Sequence, residues 1–310
     1  MKIIFFGTSG FAVPSLESLN NNFEVAAVVT APDKRGGRGR KQLIASPVKK
    51  YAEANGLKIL QPDRLKSADF LQQLEEIKAE LFVVVAFRML PKLVWDMPEM
   101  GTINLHASLL PAYRGAAPIN HAIIQGEKVS GMTVFKLDDK IDTGDLLCKK
   151  SVEILPDETA GELHDRMAQQ GGPFLVKCIR EWHSGKVNPL PQDHTQASHA
   201  PKLDKEFCLL DWYLPATDVY NKIRGLSPYP GAFTQLAGLE FKIFEAKIND
   251  NISTPKAVPE KVYSDGKSFL LISAVDQWID CKLVQLQGKR RMNIKDFLNG
   301  WAQKLPEQTD

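Results

Sequence analysis

Long apolar runs are missing from this 310-residue chain. No stretch approaches the ~20 consecutive apolar residues of a membrane-spanning helix. The opening MKIIFFGTSG is too short, and too soon interrupted by Gly7, to serve as a secretory signal. Cysteine is scarce and scattered: Cys148, Cys178, Cys208 and Cys281 form no C-x-x-C pair and no Cys/His set with zinc spacing. Reduced thiols, a cytoplasmic location and no bound metal are expected on that pattern. An excess of charge of one sign is lacking too. The 39 Lys and Arg against 37 Asp and Glu leave a formal net charge of +2, which argues against a general nucleic-acid-coating role. Any polyanion must be met by a local patch. Nucleotide-loop motifs are also missing. GTSGFA at 7–12 lacks the G-x-G-x-x-G spacing that brings a backbone against a pyrophosphate, and no Walker lysine follows it. There is no internal repeat and no low-complexity tract.

What is present alternates. KIIFFG at 2–7, FEVAAVVT at 23–30 and LFVVVAF at 81–87 are continuous apolar runs, the pattern of strands buried on both faces. GTINLH at 101–106 and MTVFKLD at 132–138 follow. Helical patterns lie between them: one starts at Ser46 as N-cap with Pro47 at the first helical position, another covers 69–78. A longer helix is predicted after Thr159, with Glu162 completing a capping box, and Gly171-Gly172-Pro173 should break or kink it. This alternation predicts an α/β fold over 1–188: a Rossmann-like, doubly wound, mostly parallel sheet that binds ligands at the carboxyl ends of its strands. Residues 189–207 are polar, proline-containing and aperiodic, as in an interdomain linker. From 208 to 310 one helix-like stretch precedes several short strand-like runs, which predicts a smaller antiparallel β-barrel or sandwich, taken here as an OB-like barrel.

Candidate chemistry concentrates in two places. In the strand 101–106, Asn104 and His106 alternate with Ile103 and Leu105, so both polar side chains share one face, roughly 6.6 Å apart along the strand. They fall at the carboxyl end, where this fold places its sites. A Ser108-Leu109-Leu110-Pro111 turn follows. The second cluster, LDDKIDTGDLL at 137–147, holds Asp138, Asp139, Asp142 and Asp145. Taken alone it reads as a solvated acidic turn. Spacing does not choose between Asp142 and Asp145 as a partner for His106. A third feature is basic: Lys34, Arg35, Arg38, Arg40 and Lys41 lie among three glycines with no acid after Asp33.

Together these residues resemble the methionyl-tRNA formyltransferase family, within the wider group of 10-formyltetrahydrofolate-dependent enzymes. The resemblance spans essentially the whole chain. It rests on FFGTSGFA at 5–12, PDKRGGRGRK at 32–41, SPVK at 46–49, NLHASLLPAYRGAAPI at 104–119, DTGD at 142–145 and RGLSPYPGAF at 224–233. One departure stands out: where the family usually has a Tyr-Gly pair before a Leu-Pro, this chain has Phe87-Arg88. The resemblance implies transfer of a formyl group from 10-formyltetrahydrofolate to the amine of methionyl-initiator tRNA, with Asn104, His106 and Asp142 catalytic. It implies a folate site lined by Ser108, Leu109, Leu110 and Pro111. It also implies tRNA contact through Lys34, Arg35, Arg38, Arg40 and Lys41 and through the carboxyl-terminal domain. No metal is called for, no membrane partner is expected, and a monomer is expected. Two other functions compete: formyl transfer to a nucleotide-linked amino sugar, which shares the catalytic cluster but not the basic loop, and a non-catalytic RNA-binding protein, which would not need Asn104, His106 and Asp142 intact.

Overall fold

The computed structural model describes residues 1–36, 42–249, 254 and 256–301. The chain forms two compact units. The first holds Met1–Ala116, Val129–Glu153 and His164–Ala200; the second holds Ala117–Lys128, Ile154–Leu163 and the chain from Pro201 onward. The segment 189–207 therefore divides at Ala200.

In the first unit the strands are β1 (Lys2–Gly7), β2 (Glu24–Val29), β3 (Lys34–Gly36), β4 (Gln42–Ile44), β5 (Ile59–Leu60), β6 (Leu81–Val85), β7 (Thr102–His106), β8 (Arg114–Gly115), β9 (Val129–Lys136), β10 (Leu146–Glu153) and β11 (His199–Ala200). Seven of them form one sheet in the order β10-β9-β7-β6-β1-β2-β5. The apolar runs supply its centre. β1, β2, β5, β6 and β7 pair in parallel, whereas β9 runs antiparallel to β7 and β10 antiparallel to β9. The connection from β9 to β10 is the short loop 137–145, and a parallel return would need a crossover of about a dozen residues or more. The mostly parallel, Rossmann-like architecture is thus present, with an antiparallel edge.

Helices α1 (Val13–Asn20), α2 (Pro47–Ala54), α3 (Ala68–Ile77) and α4 (Lys92–Trp95) lie between these strands. Alternation along β1 sorts the core. Ile4 and Phe6 pack with Phe82, Val84, Phe70, Leu74 and Val94, while Ile3 and Phe5, also fully buried, belong to the opposite face. Ser46 caps α2: its hydroxyl accepts from the Lys49 amide at 3.0 Å and pairs with the Thr30 hydroxyl at 2.7 Å.

After α5 (Pro118–Ile124), the predicted helix beyond Thr159 is α6 (Ala160–His183). Glu162 accepts from the Thr159 amide at 2.8 Å and Thr159 from the Glu162 amide at 3.3 Å, the reciprocal pair of a capping box. The expected break does not occur: α6 runs through with Pro173 inside it. The glycines before Pro173 serve packing instead. A β-carbon on Gly172 would collide with Ser18 and with the carbonyl oxygen of Pro14, and one on Gly171 would meet Leu105 at 2.9 Å. Close approach to α1 and β7 outweighs the cost of glycine to helix propensity.

The second unit contains α7 (Ala216–Gly225), strands β12 (Ala232–Leu236), β13 (Leu239–Asn249), β14 (Val262–Ser264), β15 (Leu270–Ser273), β16 (Trp278–Leu286) and β17 (Met292–Asn293), then α8 (Ile294–Asn299). Its strands pair antiparallel in the order β12-β13-β16-β15-β14, with β17 on β16. Register shifts near Glu245 bend β13, and the sheet curls into a half-barrel. Phe241, Ile243, Ile272, Ile279 and Val284 fill it, closed by Val219 and Ile223 of α7 and Phe297 of α8. Among the described residues no helix is long and apolar enough to cross a membrane.

Candidate active site

β7 delivers Asn104 and His106 to the carboxyl end of the parallel strands, as the alternation predicts. Asn104 lies between Val84 and Phe135 in the pairing, and His106 lies opposite Thr133. The Asn104 side chain is half-buried and its amide has no hydrogen-bond partner among the described residues. His106 is buried, at 7% relative exposure. One ring nitrogen, Nε2, lies 2.9 Å from the Tyr113 carbonyl oxygen. A carbonyl only accepts, so Nε2 carries a proton there. The other, Nδ1, faces Asp142 Oδ2 at 3.7 Å.

This selects among the four aspartates of the second cluster. Asp142 sits in the left-handed region, with φ +54°, which costs of order 1 kcal/mol for a residue other than glycine. Its Oδ2 also accepts from the Gly115 amide at 2.8 Å. One oxygen therefore looks both to a backbone N–H and to the imidazole. Asp138 is spent within the loop, accepting from the Thr143 hydroxyl at 2.7 Å and from the Lys140 amide at 3.0 Å. Asp145 is exposed. The loop closes tightly on β9: the Lys136 amide donates to the Asp145 carbonyl at 2.8 Å, and a β-carbon on Gly144 would overlap the carbonyl oxygen of Lys136.

The Ser108–Pro111 turn is fastened from beneath. Thr133 donates to the Ser108 carbonyl at 2.7 Å and accepts from the Leu110 amide at 3.1 Å, while the Ser108 hydroxyl donates to the Ala112 carbonyl at 2.6 Å. Ser108 and Leu110 are fully buried, and Leu109 and Pro111 are half-buried. At the end of β6, Ala86 takes φ +48°. Phe87 packs edge-on against Phe6, and the Arg88 guanidinium donates to the carbonyls of Pro62 at 2.5 Å and Asp63 at 3.1 Å.

Two of the basic residues, Lys34 and Arg35, lie on a short paired strand. β3 and β4 pair antiparallel, Lys34 with Ile44 and Arg35 with Leu43, and both basic side chains are exposed. Arg38, Arg40 and Lys41 lie outside the described residues. Immediately before β3, Asp33 accepts from Lys49 at 2.6 Å and from Gln61 at 2.9 Å. The Lys49 contact holds the Asp33 carboxyl below its ordinary range and raises the Lys49 ammonium above its own. The preceding acid in the chain, Asp33, is thereby paired with Lys49.

Gln192 is a residue that composition and motif did not single out. It is buried at 6% relative exposure. Its Nε2 donates to the carbonyls of Asp142 at 3.0 Å and Gly144 at 2.7 Å, and its Oε1 accepts from Arg114 at 2.6 Å. Among the described residues no group of three or more His, Cys, Asp or Glu side chains is arranged to hold a metal ion.

An amide with no hydrogen-bond partner among the described residues, an anchored imidazole and a carboxylate from the β9–β10 loop make a set equipped for group transfer at a carbonyl carbon. The family model described as formyl transferase matches residues 1–179, and that of its carboxyl-terminal domain matches 202–302. A methionyl-tRNA formyltransferase of Flavobacterium johnsoniae is 45% identical, covering 97% of this chain and 96% of its own. One of Bacteroides fragilis is 41% identical, covering 97% and 95%. The chain belongs to the methionyl-tRNA formyltransferase family. Among solved structures, an N-formyltransferase of Helicobacter canadensis in complex with folinic acid and dTDP-3-aminofucose superposes with a TM-score of 0.66 over 91% of this chain and 98% of its own. Its 20% identity makes that a likeness of fold.

Proposed function

We propose that this chain transfers the formyl group of 10-formyltetrahydrofolate to the free amine of methionyl-initiator tRNA, acting in the cytoplasm as a monomer. The observation that carries the chemistry is the Asn104 amide, without a partner among the described residues, on the same strand as an imidazole already tied to Tyr113. The amine attacks the formyl carbon, and negative charge develops on the formyl oxygen. Asn104 is the uncommitted donor for that oxygen. His106 has Nε2 held by the Tyr113 carbonyl and Nδ1 turned to Asp142, so in its charged form it contributes positive charge beside that oxygen. A donor such as the Asn104 amide is typically worth about 2.7–4 kcal/mol in a transition state. The amine must shed a proton and the folate N10 must gain one. Asp142, with Oδ2 beside Nδ1, orients the imidazole and stabilises its charged form during that exchange. The Ser108–Pro111 turn forms a wall of the folate site. Catalytic hydrogen bonds often tighten only in the complex, so the 3.7 Å between His106 and Asp142 is compatible with this role.

The assay that tests this offers 10-formyltetrahydrofolate with charged initiator tRNA or with a nucleotide-linked amino sugar. Formyl transfer to the aminoacyl ester alone is expected; transfer to the sugar alone would overturn the proposal.

The tRNA is gripped by the basic residues Lys34, Arg35, Arg38, Arg40 and Lys41 and by the domain at 208–310. Phosphates near the reacting amine call for cations there. A variant with these five residues neutralised is expected to bind tRNA more weakly and with a flatter salt dependence. The log–log slope should fall by roughly 0.7–0.9 for each phosphate that is no longer neutralised. Identical slopes for variant and parent would show that these residues do not touch the tRNA backbone.

A further inference from the structure

The Asp142 loop is braced by a residue from far along the chain. The route begins at the dipeptide Arg114-Gly115, which forms β8. Its backbone pairs in parallel with β11, Arg114 with His199 and Gly115 with Ala200. The Arg114 amide donates to Ser198 and the Ala116 amide to Ala200, at 2.9 and 2.8 Å. Earlier in the same segment, Leu190 and Leu146 exchange backbone hydrogen bonds at 2.8 and 2.9 Å. Between these two fastenings stands Gln192.

Both N–H donors of its amide are used. Both carbonyls that its nitrogen meets belong to the loop that presents Asp142, on either side of Thr143. Its oxygen accepts a charge-assisted bond from the buried Arg114, which also reaches His194 Nδ1 at 3.0 Å. The same dipeptide thus holds Asp142 twice: Gly115 through the carboxylate, and Arg114 through Gln192 to the backbone. A left-handed aspartate persists only where its surroundings over-determine it, and these contacts do so. An amide is the group that fits: it presents donors to the two carbonyls and an acceptor to the guanidinium.

We infer that Gln192 is a positioning residue for the reaction, setting where the Asp142 carboxylate stands relative to His106. This rests on the role given to Asp142 above. Gln192→Glu separates the two ends of the bridge. The carboxylate keeps, and strengthens, the link to Arg114, but it turns acceptors toward the carbonyls of Asp142 and Gly144. Gln192→Met removes the donors at similar volume without adding charge.

The experiment measures kcat, KM for each substrate and Tm for both variants, alone and combined with Asp142→Asn. Alone, each is expected to lower kcat at least about tenfold, since misplacing a reacting group by ~1 Å can cost ~10², with KM for each substrate nearly unchanged. In the Asp142→Asn background the same changes are expected to add little further loss, because their effect passes through the carboxylate. Full kcat in Gln192→Glu and Gln192→Met, or an equal proportional loss in both backgrounds, would overturn the inference. Full activity of Asp142→Asn alone would instead overturn the reading of Asp142 on which it rests.

Discussion

His106→Ala is expected to lower kcat by at least about 10² while the protein stays folded. The ring is buried and fixed by one bond to Tyr113. Its removal takes away the imidazole that faces Asp142. Transition-state donors and general acid–base groups each contribute on this scale. Asn104→Ala and Asp142→Ala are expected to fall by comparable factors, and the combined variant by less than the product, because groups acting as one unit are not additive. Steady-state rates at saturating folate and charged tRNA, with Tm as a check on folding, decide this. Near-full turnover of His106→Ala would remove the imidazole from the mechanism.

Gly144→Ala is the substitution expected to do most damage for its size. One methyl group would overlap the carbonyl oxygen of Lys136. That oxygen is backbone at the end of β9 and cannot swing aside as a side chain could. The loop must lift, and Asp142, two residues away, lifts with it. Overpacking of this kind typically costs about 1–3 kcal/mol. A shift of ~1 Å at the carboxylate would add a loss of ~10² in rate. Both a lower Tm and a strong fall in kcat are expected. Parent-like activity would mean that the loop accommodates the methyl group without moving its aspartate. A crystal structure of the variant would locate the displacement directly.

The parts of the site that the sequence made legible are those set by local periodicity. Asn104 and His106 stand together because a strand alternates with period two, and the apolar runs around them mark the sheet. Ser46 and the Thr159–Glu162 pair announce helix starts through short-range hydrogen bonds. Asp142 is one of four equivalent-looking acids; what distinguishes it is a left-handed backbone and an N–H from Gly115, and neither leaves a local trace. Gly171-Gly172-Pro173 points to a helix break by propensity, whereas packing against α1 and Leu105 keeps α6 continuous. Gln192 is hidden more thoroughly. It sits in a polar segment without period, and its partners are 48 to 78 residues away in the chain.

The pairing of β8 with β11 also sets an order of events during synthesis. A ribosome releases the carboxylate, the imidazole and the amide of the site long before it releases Gln192 and Ala200. A nascent chain ending at 188, where composition suggests a boundary, has Asn104, His106 and Asp142 but lacks Gln192, which bonds the carbonyls of Asp142 and Gly144. Only after His199 and Ala200 have emerged can Arg114-Gly115 gain its neighbouring strand. The loop that presents Asp142 therefore has all of these contacts only once the chain has been made as far as Ala200.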